Sequence, residues 1–325
     1  MKNKNKEKGR KKVLWGFIYV GVFIVAFAAS AIIKMTYNPL SGEMKVNWND
    51  SIGRVYTDIA YGEKEKNKFD LYVPADNTKK TYGLVVYLHP GGFAAGDKSG
   101  DADMLKWLCS KGYVAAGINY TVSDENNPEA SVYTMSQEIK NSIPVVKAEA
   151  EKLGYHLDRM AISGGSAGGT LALLYAYRDA DTSPIPVKMV FEMVGPPSFY
   201  PEDWTTYGLD RSPEAAANLF SIMSGNTITT DMIGTARYDE AVKNISPYMW
   251  IDENSVPTLA AYGKYDRVAP FGTVKHLINA LEENHVPHDY IEFSHSGHGL
   301  QNDDKLSAKY IEKMNEYLER YLGSE

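Results

Sequence analysis

The sequence predicts an α/β fold: a mainly parallel eight-stranded sheet with helices on both faces and a small helical cap insertion, preceded by one N-terminal transmembrane helix. Three observations carry this. Eight short apolar runs alternate with helix-length stretches, the pattern of strand–helix–strand units. Several of those runs are apolar throughout, as strands covered on both faces must be. Residues 13–33 form a separate apolar run without a single charge.

That run, Val13 to Ile33, follows the basic stretch KNKNKEKGRKK and is closed by Lys34. At ~1.5 Å per residue its helix reaches roughly 32 Å, enough for a bilayer core of about 30 Å. The basic flank marks the cytoplasmic side, with Trp15 and Tyr19 at the interface, so residues 35–325 are expected outside. A second reading stays open, a cleaved secretory signal, since Ala26-Phe27-Ala28 and Ala29-Ser30-Ala31 both resemble A-x-A sites. Residues 1–34 hold 8 of the 34 Lys and Arg and one of the 41 Asp and Glu, a net of +7. The rest carries 26 cations against 40 anions, a net of -14, which repels phosphate backbones and argues against nucleic acid as a partner. One cysteine, Cys109, excludes an intrachain disulfide framework and any multi-cysteine metal site.

Residues 35–54 read as a polar linker and residues 55–325 as one folded body. Strands are expected at Val55–Tyr61, Phe69–Val73, Leu84–Leu88, Tyr113–Asn119, Met160–Ser163, Lys188–Val194, Thr258–Tyr262 and Asp289–Phe293. The first two have no helix between them and read as an antiparallel start. Helices are expected at Ala102–Ser110, Met135–Leu153, Ala167–Tyr177, Val274–Glu283 and Asp304–Tyr321, with Gly154 as a C-terminal stop. Residues 195–250 break this rhythm: they hold no clear strand, are rich in Pro and aromatics, and read as a cap insertion. Phe199, Tyr200, Trp204, Tyr207 and Trp250 either line a pocket there or pack the cap.

Chemistry enters at Gly164-x-Ser166-x-Gly168, set between a strand and a helix. This is the nucleophile-elbow pattern: the serine sits on a sharp, strained turn, so its neighbours two residues away must be small. The following helix aims its positive end at the site. A serine nucleophile needs a base and a group that orients the base. Of seven histidines, His295 and His298 follow the last strand, and His298 lies between Gly297 and Gly299, which frees its loop. His298 is the better placed, with His295 a strand-end or supporting residue. His276 reads as a surface or packing residue on its helix. Asp266 lies just past the strand Thr258–Tyr262, where ligand sites form in open α/β sheets, and would hold the imidazole Nδ1–H. The alternative is a turn aspartate satisfying its own backbone. His89-Pro90-Gly91-Gly92-Phe93 follows another strand. Gly91 and Gly92 can turn their amides toward an oxyanion, and Ala167 can add a third donor; the bland reading is an ordinary Pro-Gly turn.

These residues, with Phe69-Asp70-Leu71-Tyr72-Val73-Pro74, Gly96-Asp97-Lys98, Ser246-Pro247 and YGKYDRVAP at 262–270, resemble the α/β-hydrolase superfamily. The resemblance is to its hormone-sensitive-lipase-like and acetyl or feruloyl esterase branch, over about residues 55–322. It implies Ser166, Asp266 and His298 as a catalytic triad, Gly91, Gly92 and Ala167 as the oxyanion hole, and no metal or cofactor. Pro90 departs from the usual His-Gly-Gly-Gly; it lacks an N–H, but the two donor glycines are kept. The stretch after Tyr120 departs as well. The expectation is a membrane-anchored, outward-facing serine esterase acting on a small-molecule or glycan ester. An α/β-hydrolase-fold peptidase and a non-catalytic surface binding protein are the rivals.

Overall fold

A computed structural model describes residues 44–323 of the 325-residue chain. The expected membrane span or signal at 13–33 lies outside the described residues. Among the described residues no helix is long and apolar enough to cross a membrane.

Eight strands form one sheet: β1 (Gly53–Ala60), β2 (Lys68–Pro74), β3 (Tyr82–Leu88), β4 (Val114–Ile118), β5 (Leu157–Gly165), β6 (Val187–Met193), β7 (Thr258–Gly263) and β8 (His288–Phe293). Their spatial order is β1-β2-β4-β3-β5-β6-β7-β8. β2 runs antiparallel to both neighbours, and the pairs from β4 through β8 are parallel. The antiparallel start follows from the short β1–β2 connection, because a parallel pair needs a crossover of a dozen or more residues.

The apolar strands serve two cores. Along β3, Leu84, Val86 and Leu88 face one core, while Val85 and Tyr87 face the other. The first core is covered by α2 (Val132–Lys152), α3 (Ala167–Leu174) and α6 (Val274–Glu283). The second is covered by α1 (Ala102–Ser110) and α7 (Asp304–Leu322). Each fully buried Val, Leu or Ile contributes roughly 1.5–3 kcal/mol, so double coverage is what makes a sheet of this composition stable.

Boundaries moved for local reasons. α2 begins at Val132, before the expected Met135, because Ser131 and Thr134 form a reciprocal capping box. β5 runs Leu157–Gly165 and outlasts the apolar run at both ends, since the polar Asp158 and Arg159 stand at its start and Gly164-Gly165 end it without side chains. α3 stops at Leu174 and continues as a π-turn over Tyr175–Asp179. The segment read as linker touches the body: Met44 is buried in the second core, and Trp48 packs edge-on against Tyr72 at 6.1 Å.

The cap, residues 195–250, holds 3₁₀ turns with α4 (Pro213–Ser224) and α5 (Ala236–Lys243) and no strand. Its aromatics mostly pack one another. Phe199, Trp204, Phe220 and Tyr238 are buried together, with Phe199 and Trp204 stacked at 5.5 Å, so those two are cap core.

Candidate active site

Ser166 follows β5 directly and caps α3, with φ 52° and ψ −121°. A non-glycine residue at positive φ costs of order 1–3 kcal/mol, and here flanking glycines make it feasible. A Cβ on Gly164 would stand 2.4 Å from the Gly168 carbonyl carbon, and one on Gly168 would stand 2.0 Å from Leu88 O. The turn is that tight because Leu88 pairs with Gly164 in the β3–β5 register. The Ser166 amide is held by Met193 O at 2.8 Å, which ties the turn to β6.

His298 and Asp266 arrive from two other loops. His298 Nε2 lies 2.9 Å from Ser166 Oγ, and His298 Nδ1 lies 2.8 Å from Asp266 Oδ2. Asp266 is buried at the end of β7, and its second oxygen, Oδ1, accepts the Val268 and Ala269 amides at 2.8 and 3.0 Å. The carboxylate is thus both turn aspartate and imidazole partner; the two readings left open by the sequence are one structure. An imidazole so held can take a proton from the serine hydroxyl while the carboxylate balances the cation that forms.

The loop after β3 turns on Gly91 at φ 144° and Gly92 at φ 61°. A Cβ on Gly91 would meet Ala95 O at 2.0 Å, and Gly91 O accepts the Ala94 and Ala95 amides. His89 is the loop's footing. Its ring stacks on Tyr120 at 4.2 Å, its Nδ1 lies 2.9 Å from Pro90 O, and Tyr120 donates to His89 O at 2.8 Å. Burial holds the His89 pKa below its usual value, keeping the ring neutral. Gly96-Asp97-Lys98 fixes the loop's far end. Lys98 is buried between Asp70 at 3.0 Å and Asp58 at 2.9 Å, and its amide donates to Asn119 Oδ1 at 2.6 Å.

Three acids outside the predicted site residues support the site: Asp303, Glu192 and Asp203. Asp303, ahead of α7, clamps the His298 loop: it accepts the His295 amide at 3.0 Å and the Ser296 hydroxyl at 2.6 Å, and lies 2.7 Å from His295 Nδ1. His295 is thus a partner of Asp303 and not of Ser166. Glu192, fully buried in β6, accepts the Gly195 amide at 2.9 Å and sits against Gly169 in the first turn of α3. Burial raises its carboxyl to about 8. Its signal in the sequence is an acid inside the apolar run of β6. Finally, His276, read as a surface or packing residue, pairs with the cap: Asp203 lies 2.6 Å from both His276 Nε2 and Lys275 Nζ. With Thr206 and Tyr207 donating to Arg267 O and Val268 O at 3.1 and 2.9 Å, the cap is fastened to the loop that carries Asp266.

The BD-FAE family model matches residues 69–281. Esterase LipC of Mycobacterium tuberculosis is 23% identical over 251 residues, covering 74% of this chain and 59% of LipC. The probable carboxylic ester hydrolase LipM of the same organism is 33% identical over 128 residues, covering 38% of this chain and 28% of LipM. The matched part therefore spans less than two thirds of the length of either relative. Among solved structures, esterase B from Lactobacillus rhamnosis with a C6-C4 SN3 inhibitor superposes with a TM-score of 0.64 at 19% identity, over 92% of this chain and 95% of that one, a likeness of fold.

Proposed function

This chain belongs to the BD-FAE family, and from that premise we propose that it is a serine carboxylic-ester hydrolase working through Ser166, His298 and Asp266. The observation that carries the reading is the continuous relay from Ser166 Oγ through both ring nitrogens of His298 to Asp266, at 2.9 and 2.8 Å.

In the reaction, Ser166 Oγ attacks the ester carbonyl carbon while His298 Nε2 takes the hydroxyl proton. The carbonyl π electrons move to oxygen, and the amides of Gly91, Gly92 and Ala167 stabilise that charge. Each such donor is typically worth roughly 2.7–4 kcal/mol. The intermediate collapses, the C–O bond to the alcohol breaks, and His298 returns the proton to the departing oxygen. Water then repeats the sequence on the acyl-serine, giving the free acid and the original enzyme. Throughout, Asp266 fixes the tautomer with Nδ1 protonated.

The substrate class we propose is a small acyl ester, acetyl or aromatic acyl, on a glycan or glycoside. The workplace we propose is the outer face of a membrane, with residues 13–33 as anchor. The esterase names of LipC and LipM support ester hydrolysis. A fluorophosphonate probe tests the core of this reading: it should label the wild type at Ser166 and fail on Ser166→Ala, which should also lose p-nitrophenyl acetate hydrolysis. An unlabelled wild type would restore the non-catalytic binding protein. Faster turnover of aminoacyl amides than of acyl esters would restore the peptidase.

A further inference from the structure

Ser166 follows the C-terminal end of β5; Arg159 lies at the start of the same strand. Seven residues at about 3.3 Å put the two roughly 23 Å apart, at opposite ends of the sheet. Around Arg159 opens a cleft of about 640 Å³ that is also lined by Lys79, Lys80 and Arg320. Lys111 adjoins it, lining a smaller hollow with Lys79 and Arg159.

The charge around this cleft opposes that of the body. Lys79, Lys80, Lys111, Arg159 and Arg320 line it and the adjoining hollow, and Asp158 is the one acid in those linings. The acids Asp181 and Asp252 lie farther along the same end of the sheet, by the starts of β6 and β7. The cleft is thus a local basic patch on a body whose net charge is negative. Arg159 is engaged with Asp158 and with Leu322 O at 2.8 Å. Among the described residues, Lys79, Lys80, Lys111 and Arg320 form no ion pair. Three of them instead lie over rings, Lys79 over Tyr82 at 5.8 Å, Lys111 over Trp107 at 4.8 Å and Arg320 over Tyr321 at 5.3 Å.

The chain also reaches the body at this end. Gly53, the first residue of β1, pairs with Pro74 at the end of β2, and the Ala75 amide donates to Ile52 O at 2.9 Å. In the sequence, residues 34–51 separate Ile52 from the apolar run 13–33. A chain of that length spans at most about 65 Å.

We propose that this basic patch is a docking surface for an anionic lipid bilayer, which holds the body with Ser166 turned away from the membrane. The proposal rests on reading residues 13–33 as a membrane anchor. The cations sit on several separate elements around an open cleft and do not converge on one buried point, which suits a charged plane better than a small anion. Basic residues held near an anionic surface each gain from its potential, and the gain is lost within a Debye length.

The full chain, reconstituted in vesicles of phosphatidylcholine with or without phosphatidylglycerol, tests this by amine acylation read by mass spectrometry. Lys79 and Lys111 should label about fivefold more slowly when phosphatidylglycerol is present. Lys264 and Lys275, half-exposed near the catalytic end, should label equally in both. Salt near 1 M, where the Debye length is about 3 Å, should abolish the difference. The K79E/K111E/R320E variant, checked for folding by its ester hydrolysis, should label alike in both vesicles at Lys80. Equal labelling of wild-type Lys79 in both vesicles, or equal slowing at Lys264, overturns the docking surface. Slowing by soluble glycerol phosphate in phosphatidylcholine vesicles also overturns it, in favour of a small-anion site. Failure to float with phosphatidylcholine vesicles refutes the anchor alone. In that case flotation with phosphatidylglycerol vesicles, lost in the triple variant, still supports the docking surface, and its absence overturns both.

Discussion

A Cβ on Gly168 would stand 2.0 Å from the carbonyl oxygen of Leu88. The contact is backbone against backbone, so no side-chain rotamer can relieve it. Gly168→Ala should therefore lift α3 off β3 and displace Ser166. We expect a destabilisation of about 1–3 kcal/mol, the usual cost of overpacking, with a larger proportional loss of activity. Urea unfolding and fluorophosphonate labelling measured side by side check this; an active, fully labelled variant would contradict it.

Asp266→Asn keeps an oxygen for the Val268 and Ala269 amides but withdraws the charge facing His298 Nδ1. The turn should persist while the tautomer is lost. The expected outcome is a kcat lower by about 10⁴ at nearly unchanged thermal stability. A loss of only a few fold would remove Asp266 from the mechanism.

Asp303 touches no reacting atom and acts on His298 through the loop it clamps, by way of His295 and Ser296. Asp303→Ala should lower kcat about 100-fold, the scale of an ångström of misplacement, with KM little changed. Asp303→Asn, which retains one acceptor, should recover part of the loss. If both variants lower KM and kcat alike in proportion to lost stability, the role of Asp303 is only structural.

Glu192 makes stability depend on pH. Burial raises its folded pKa to about 8, against about 4.3 in an unfolded chain. Between those values the folded state keeps a proton that the unfolded state has released, so this group's contribution falls as pH rises through that window and is lowest above pH 8. Glu192→Gln cannot ionise. Its Tm relative to wild type should therefore climb from pH 5 to pH 9, by about 5 °C or more. A difference that stays flat with pH would show that Glu192 does not titrate there.

How much of this was legible beforehand depended on range. The alternation of apolar runs located all eight strands, because a strand buried on both faces must be apolar throughout, as Leu84–Leu88 is. It misplaced the ends of β5, where Asp158, Arg159 and two glycines carry no hydrophobic signal. Glu192 stands out in the sequence only as an acid inside the apolar run of β6; its role as a support comes from Gly195 and the first turn of α3, which only the fold brings to it. The cap aromatics left two readings open, and packing between Phe199 and Trp204 chose one for that pair.

By itself the sequence determined the elbow. Gly164, Ser166 and Gly168 lie within five residues, and the steric rule that selects small neighbours for a strained serine is local. It also narrowed the base and acid to residues at strand ends, since only there does an α/β sheet expose side chains to a shared site. Tertiary structure decided the partnerships. His298 is 132 residues from Ser166 and 32 from Asp266, and hydrogen bonds of 2.9 and 2.8 Å across such separations exist only once β5, β7 and β8 stand in register. It likewise assigned His295 to Asp303 and His276 to the cap, because the sequence offers each histidine many acids, and only distance separates one from another.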